Sequence, residues 1–386
     1  MTTTETAVAG LGITRLGKVY GRTATQFAAE AVRLAAEDAG ISLGDLDGLI
    51  VSGGVTNAVG LDLQGVLGLT DLRLLTAMQG YGSTAGQMVQ YATMAVRSGM
   101  AETIAVVWAD DPLRENGRSS AAYAAAGTAP AGFAGLRASN GISSTNTLYA
   151  LAARRHMKRY GTTQDQLGHI AVAQRDWAVL NPLAQFRSPL TLEEYHASRY
   201  IAEPFHLFDC CLVSNGGAAL IVTTLDRARA MRQPPVRVLG WGQSHPGATG
   251  IRNDEFGLVT GAAASGPRAL AMADTSLDEI GVVELYDCYT YTALVTLEDY
   301  GFCEKGEGGS FVSEPGVLGP TGRLKVNTGG GQLSSYYLWG MTPLTEAVMQ
   351  TRGQAGERQV ADHDRVLVSG NGGVLDHHST LVIGTD

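Results

Sequence analysis

Four short stretches of this chain carry reactive side chains, three of them among glycines. Tyr286-Asp287-Cys288-Tyr289 follows an apolar run, and Gly370-Asn371-Gly372-Gly373 closes another. Between them lies Asn327-Thr328-Gly329-Gly330-Gly331-Gln332-Leu333-Ser334-Ser335-Tyr336-Tyr337-Leu338-Trp339-Gly340. Earlier, Gly82-Ser83-Thr84-Ala85-Gly86 opens a run of small residues at helical spacing. Glycine runs of this kind suit loops where backbone approaches a ligand closely. A tyrosine, with an ordinary pKa of about 10, transfers a proton if that pKa is brought down or if it acts as a donor. A serine without a neighbouring histidine is a poor nucleophile. Metal chemistry needs clustered ligands. The pair His377-His378 would point to opposite faces of a strand, and the spacing of Cys210, Cys211, Cys288 and Cys303 fits no zinc site. No metal is expected.

The elements that position these stretches repeat. Residues 25–39 have helical apolar spacing and end at Gly40, a good C-terminal cap. Ser42-Leu43-Gly44-Asp45-Leu46 then precedes an apolar strand. Ser276-Leu277-Asp278-Glu279-Ile280 does the same after a second Ala-rich helix, with Ser276 and Glu279 forming a capping box. The small-residue helix 84–97 is followed by the strand 103–109, and the helix 342–352 by the strand 365–369. Apolar strands alternating with helices imply parallel pairing and an α/β architecture. The repeat is far longer than a solenoid period and points to duplication. Between the halves, residues 112–207 read as an inserted, largely helical region, with a capping box at Thr163 and Gln166. Pro234-Pro235 marks the junction. The organisation expected is an N-terminal half over residues 1–232, containing the insertion, and a C-terminal half over residues 233–386.

The chain has 386 residues, 45% apolar and 17% charged, with a net charge of −9. That balance argues against nucleic acid or an anionic membrane as the main partner. No apolar run reaches the length of a membrane span, and Met1-Thr2-Thr3-Thr4-Glu5 does not resemble a signal peptide. With no disulfide pattern, a reducing, cytoplasmic compartment is the expectation.

The stretch 327–340 resembles the signature N-T-x-G-G-x-L-S-x-G-H-P-x-G of the sterol-carrier-protein-type thiolases. Phe208-Asp209-Cys210-Cys211-Leu212-Val213-Ser214-Asn215-Gly216-Gly217 and Leu297-Glu298-Asp299-Tyr300-Gly301-Phe302-Cys303-Glu304-Lys305-Gly306-Glu307-Gly308-Gly309 resemble two further runs of that superfamily. The resemblance covers nearly the whole chain. It implies the thiolase fold, with duplicated βαβαβαββ halves in a five-layered αβαβα core. It also shows what has changed. The family's nucleophilic Cys position carries Ser83. The His of H-D-C-F becomes Tyr286, the His of G-H-P becomes Tyr337, and the Cys of C-x-G becomes Gly370.

Tyrosine at both histidine positions resembles the lipid-transfer-protein-type aldolases of bacterial steroid side-chain degradation. That resemblance implies retro-aldol cleavage of a β-hydroxyacyl-CoA to a ketone and propionyl-CoA, with Tyr337 and Tyr286 as acid/base residues. Ser83, Asn371, Gly372 and Gly330 are the candidates for oxyanion or substrate binding. The lysines Lys18, Lys158, Lys305 and Lys325 all lie outside the catalytic turns, so a Schiff base is not expected. Asp287 is expected to hold its own turn. No cofactor is implied beyond the coenzyme A of the substrate. The implied assembly is a homodimer joined by an OB-fold/zinc-ribbon partner into a heterotetramer. Two other readings stand beside this one: an acyltransferase or thiolase using Cys288 or a residue from a partner, and a catalytically silent thiolase-like subunit that scaffolds a partner.

Overall fold

The computed structural model describes residues 4–119, 122, 132–142, 144–247 and 255–386. Its strands are β1 (Thr6–Ile13), β2 (Gly48–Ser52), β3 (Leu74–Ala77), β4 (Thr103–Asp110), β5 (Tyr200–Ala202), β6 (Phe205–His206), β7 (Gly216–Thr224), β8 (Val236–Ser244), β9 (Val282–Glu284), β10 (Arg365–Gly372) and β11 (His377–Gly384). β5 and β6 pair only with each other. The others form one sheet in the order β3-β2-β4-β7-β1-β8-β11-β10-β9, and the contact of β1 with β8 joins its two parts.

The repeat read in the sequence is physical. A 3-10 turn over Leu43–Asp45 leads into β2, with Ser42 and Asp45 closing it; the turn over Leu277–Glu279 leads into β9, with Ser276 and Glu279 in the same roles. Gly10 and Gly12 on β1 let the helix Ala24–Ala39 lie against the strand: added Cβ atoms would come 2.2 Å from the Ala35 carbonyl and 2.1 Å from that of Ala31. Gly240 and Gly242 on β8 do the same for the helix Ala262–Met272, at 2.1 Å from Ala269 O and 2.3 Å from Ser265 O. These helices form the outer layers. The helices Thr84–Arg97 and Met341–Thr351 lie between the two parts of the sheet, the former touching β4 and β7 on one side and β10 and β11 on the other. The result is the αβαβα layering.

Among the described strands, parallel pairing joins β2 with β3 and β4, and β9 with β10. The centre of the sheet is antiparallel, contrary to the expectation from alternating elements. The reason is local. β10 and β11 are joined by a short turn, and only antiparallel strands can be joined that way. In the second half the strand equivalent to β3 shrinks to a single bridge of Val326 with Val283. The helices Thr145–Tyr160 and Gln164–Val179 belong to the inserted region and cover the site from outside; the second carries the capping box of Thr163 and Gln166. Among the described residues, no helix is long and apolar enough to cross a membrane.

Candidate active site

Tyr286 and Tyr337 come together. Their hydroxyl oxygens are 3.2 Å apart, and the residues are only 4% and 8% exposed. Tyr286 lies just beyond β9, where Leu285 N–H donates to Asn327 Oδ1 at 2.6 Å. Its ring rests on Gly82, where an added Cβ would lie 2.2 Å from Tyr286 Cε2. Tyr337 follows the wide turn Gly331–Ser335, and its N–H donates to Ser214 Oγ at 3.1 Å. Burial holds both phenols well above their ordinary pKa, so the pair is neutral and each hydroxyl keeps its proton. Tyr336 turns away, its hydroxyl meeting Thr345 Oγ1 at 2.8 Å.

Asp287 accepts the Gln332 N–H at 2.9 and 3.0 Å and the Leu333 N–H at 3.3 Å. It therefore fixes the turn that presents Tyr337. Burial raises its pKa to about 7. Gly330 and Gly331 enter that turn with φ of 93° and 59°. Gly330 is pressed against the helix Gln164–Val179, where a Cβ would lie 2.5 Å from that of Ala178. Its N–H donates to Asn327 O at 2.8 Å, and its carbonyl accepts the Ser334 N–H at 3.1 Å. Both groups serve the turn itself.

Ser83 stands where the helix Thr84–Arg97 begins. Its hydroxyl donates to the Gly80 carbonyl at 2.6 Å and accepts from Gln87 Nε2 at 2.9 Å. Its N–H also points to Gly80 O, at 3.2 Å. At Gly370 an added Cβ would lie 2.6 Å from Ser379 Oγ and 3.0 Å from Ser83 Cα, so a cysteine does not fit without a shift. Burial pushes the Cys288 thiol up to about 12, which leaves essentially no thiolate at neutral pH. Neither of the family's thiol positions, Ser83 and Gly370, carries a thiol here.

Asn371 and Gly372 sit at the end of β10, opposite His378 and His377 of β11. Asn371 is 1% exposed, and its side-chain amide has no protein partner among the described residues. Gly372 abuts the turn before Ser83, with Gly80 O 2.0 Å from an added Cβ. His378 is buried against Tyr300 and Ser369, while His377 meets His245. Two contributors went unseen in the sequence. Ser214 receives the Tyr337 N–H. Tyr149 of the insertion donates to Gly373 O at 2.8 Å. Ser214 lies in the family-like run 208–217, which assigned it no role, and Tyr149 lies in a segment whose pattern signals only a helix.

The geometry can be set beside known proteins. A family model described as "Thiolase C-terminal domain-like" matches residues 242–385. A steroid side-chain-cleaving aldolase from Thermomonospora curvata is 36% identical, covering 98% of each chain. The chain belongs to the thiolase superfamily. Within it, this chain groups with the thiolase-fold aldolases. A 17-hydroxy-3-oxo-4-pregnene-20-carboxyl-CoA lyase from Mycobacterium tuberculosis is 34% identical, over 98% of this chain and 99% of that one. The solved structure of the Ltp2-ChsH2(DUF35) aldolase superposes with a TM-score of 0.88 at 34% identity, covering 100% of this chain and 98% of that one.

Proposed function

We propose that this thiolase-fold chain is a carbon–carbon lyase that cleaves a β-hydroxyacyl-CoA by a retro-aldol reaction, releasing a ketone and propionyl-CoA. The observation that carries this reading is the neutral hydroxyl pair of Tyr286 and Tyr337 in a frame whose thiol positions hold Ser83 and Gly370. The names of the relatives support a 17-hydroxy steroid side chain as the acyl group.

The chemistry suits neutral tyrosines. The bond between the α- and β-carbons breaks, and its electron pair forms a thioester enolate. The β-hydroxyl loses its proton and becomes the ketone, while the α-carbon gains a proton. The net event is transfer of one proton from oxygen to carbon. A relay through two hydroxyls does this without a lasting charge, because one accepts a proton as it passes its own onward. No acyl-enzyme is needed. The developing enolate is the charge to be stabilised. Asn371, whose amide has no partner among the described residues, Gly372 and the N-termini of the two central helices are the groups we assign to it. Ser83 and Gly330 shape this site through their own turns. The substrate's coenzyme A is the only nucleotide group invoked.

We further propose a homodimer joined by an OB-fold/zinc-ribbon partner. β3 at the sheet edge leaves one row of backbone groups for a second copy, and the similar aldolase structure carries a DUF35 component in its name. Four free cysteines fit the cytoplasm. The test is product analysis of the chain co-expressed with its partner on a β-hydroxyacyl-CoA. Equal amounts of ketone and propionyl-CoA are expected. Acyl transfer to free coenzyme A would return the chain to the thiolases, and an inert complex would make it a scaffold.

A further inference from the structure

We infer that Tyr149, on the inserted helix Thr145–Tyr160, is a positioning residue for this cleavage: its hydroxyl fixes the Gly373 carbonyl and holds the turn 371–373 against the tyrosine pair. The inference rests on the lyase reading above.

The inserted helix meets the second half along one face. Asn146, Tyr149, Ala153 and His156 are spaced by three and four residues, which stacks them on one side of a helix. Tyr289 donates its hydroxyl to Asn146 Oδ1. Tyr149 donates to Gly373 O at 2.8 Å. His156 Nε2 meets the Glu298 carboxylate at 3.1 Å. The face thus grips the turn after Tyr286, the turn after β10 and the helix Thr290–Tyr300 with separate polar contacts. Tyr149 is the middle one and is 1% exposed.

A phenylalanine would fill the same volume, so the hydroxyl is present for its bond. Buried tyrosine hydroxyls need such a partner. The Tyr149 ring packs on Tyr289 with centroids 4.6 Å apart, and Tyr289 in turn stacks on Phe205 at 4.9 Å. Cys288 lies two residues beyond Tyr286, and its carbonyl accepts the Cys211 N–H at 2.9 Å. Tyr149 therefore packs on Tyr289, three residues beyond Tyr286, and bonds the turn that follows Asn371 and Gly372. Its proton is committed to Gly373 O. It sets the geometry of the site and takes no part in the proton relay.

The experiment is Tyr149→Phe in the full assembled complex, with steady-state kinetics on a β-hydroxyacyl-CoA that the wild type cleaves. Amide hydrogen exchange over residues 371–375 is measured on the same samples. Loosening of a positioned group costs on the order of 10–100-fold in rate. The expected result is a kcat loss of that size with KM nearly unchanged, together with faster exchange over 371–375. A kcat close to wild type overturns the inference, as does a change confined to KM. If the wild type cleaves nothing, the lyase reading fails by itself, and exchange alone decides the clamp: unchanged protection in Tyr149→Phe overturns it. Should Tyr149→Phe not fold, 3-fluorotyrosine at position 149 keeps the hydroxyl and lowers its pKa. A positioning role leaves kcat and its pH profile in place, and a shifted alkaline limb overturns it by putting Tyr149 in the proton relay.

Discussion

The two turns that lead into the central helices began as equivalent parts of a duplicated fold and now do different things. In the first, Tyr81 takes a left-handed φ of 53° ahead of the helix Thr84–Arg97; in the second, Trp339 takes 51° ahead of Met341–Thr351. The two aromatic rings touch, with centroids 6.1 Å apart. Gly340 comes so close to the first turn that a Cβ would lie 2.5 Å from Gly82 O. Yet the hydroxyl of Ser83 is bonded back onto its own turn, while that of Tyr337 leaves its turn to meet Tyr286, just beyond β9. A short side chain satisfies itself locally. A long one, buried, reaches a partner, and the two hydroxyls then lie where the proposed proton path runs. Backbone geometry is kept, and side-chain reach sets the two turns apart.

That contrast can be broken from either side. The largest effect is expected at the second turn. Tyr337→Phe should lower kcat by on the order of 10²–10⁴-fold, the range for loss of a general acid/base. Tyr286→Phe should lose a similar or smaller factor. Tyr336→Phe should cost far less, since its hydroxyl serves Thr345; a dead Tyr336→Phe beside active Tyr337→Phe and Tyr286→Phe would refute the assignment. At the first turn, Ser83→Ala should cost less than about 10-fold, and a loss matching that of Tyr337→Phe would restore the serine to the chemistry.

Smaller effects sharpen the picture. Asp287 has a folded pKa of about 7 against an ordinary 3.8. The folded chain thus holds a proton that the unfolded chain has released between about pH 4 and 7, so this group's contribution to stability is present below that window and lost as pH rises through it. The thermal midpoint of wild type relative to Asp287→Asn should therefore fall from pH 4 to pH 7, and a rising difference would contradict the shift. The smallest effect is expected from thiol reagents. With Cys288 buried and its thiol held at about 12, alkylation of the accessible cysteines should leave most activity. Rapid inactivation by labelling Cys288, blocked by substrate, would revive the thiolase reading.

Much of this was legible in the sequence because it rests on local signals. The capping pairs Ser42–Asp45 and Ser276–Glu279 announce the duplication, and the frame around Asn327 and Gly331 locates Tyr337. Asp287 was expected to hold its own turn, whereas its carboxylate holds the turn of Gln332 and Leu333, 45 residues on. What could not be read depends on contacts distant in the chain. The antiparallel centre of the sheet depends on which strands meet after the insertion. The commitment of the Ser83 hydroxyl needs the position of Gly80 O and Gln87. Tyr149 lies 224 residues from the carbonyl it grips, in a segment whose pattern signals only a helix.

The central claim is cleavage by a tyrosine pair without a covalent intermediate, in a thiolase frame whose nucleophile positions are silent. Intact-mass measurement of the protein, quenched during turnover of a β-hydroxyacyl-CoA, tests it most directly. The account predicts an unmodified chain at every time point while ketone and propionyl-CoA accumulate in equal amounts. An acyl adduct that forms and decays at the turnover rate, mapped to Ser83 or Cys288, would contradict it.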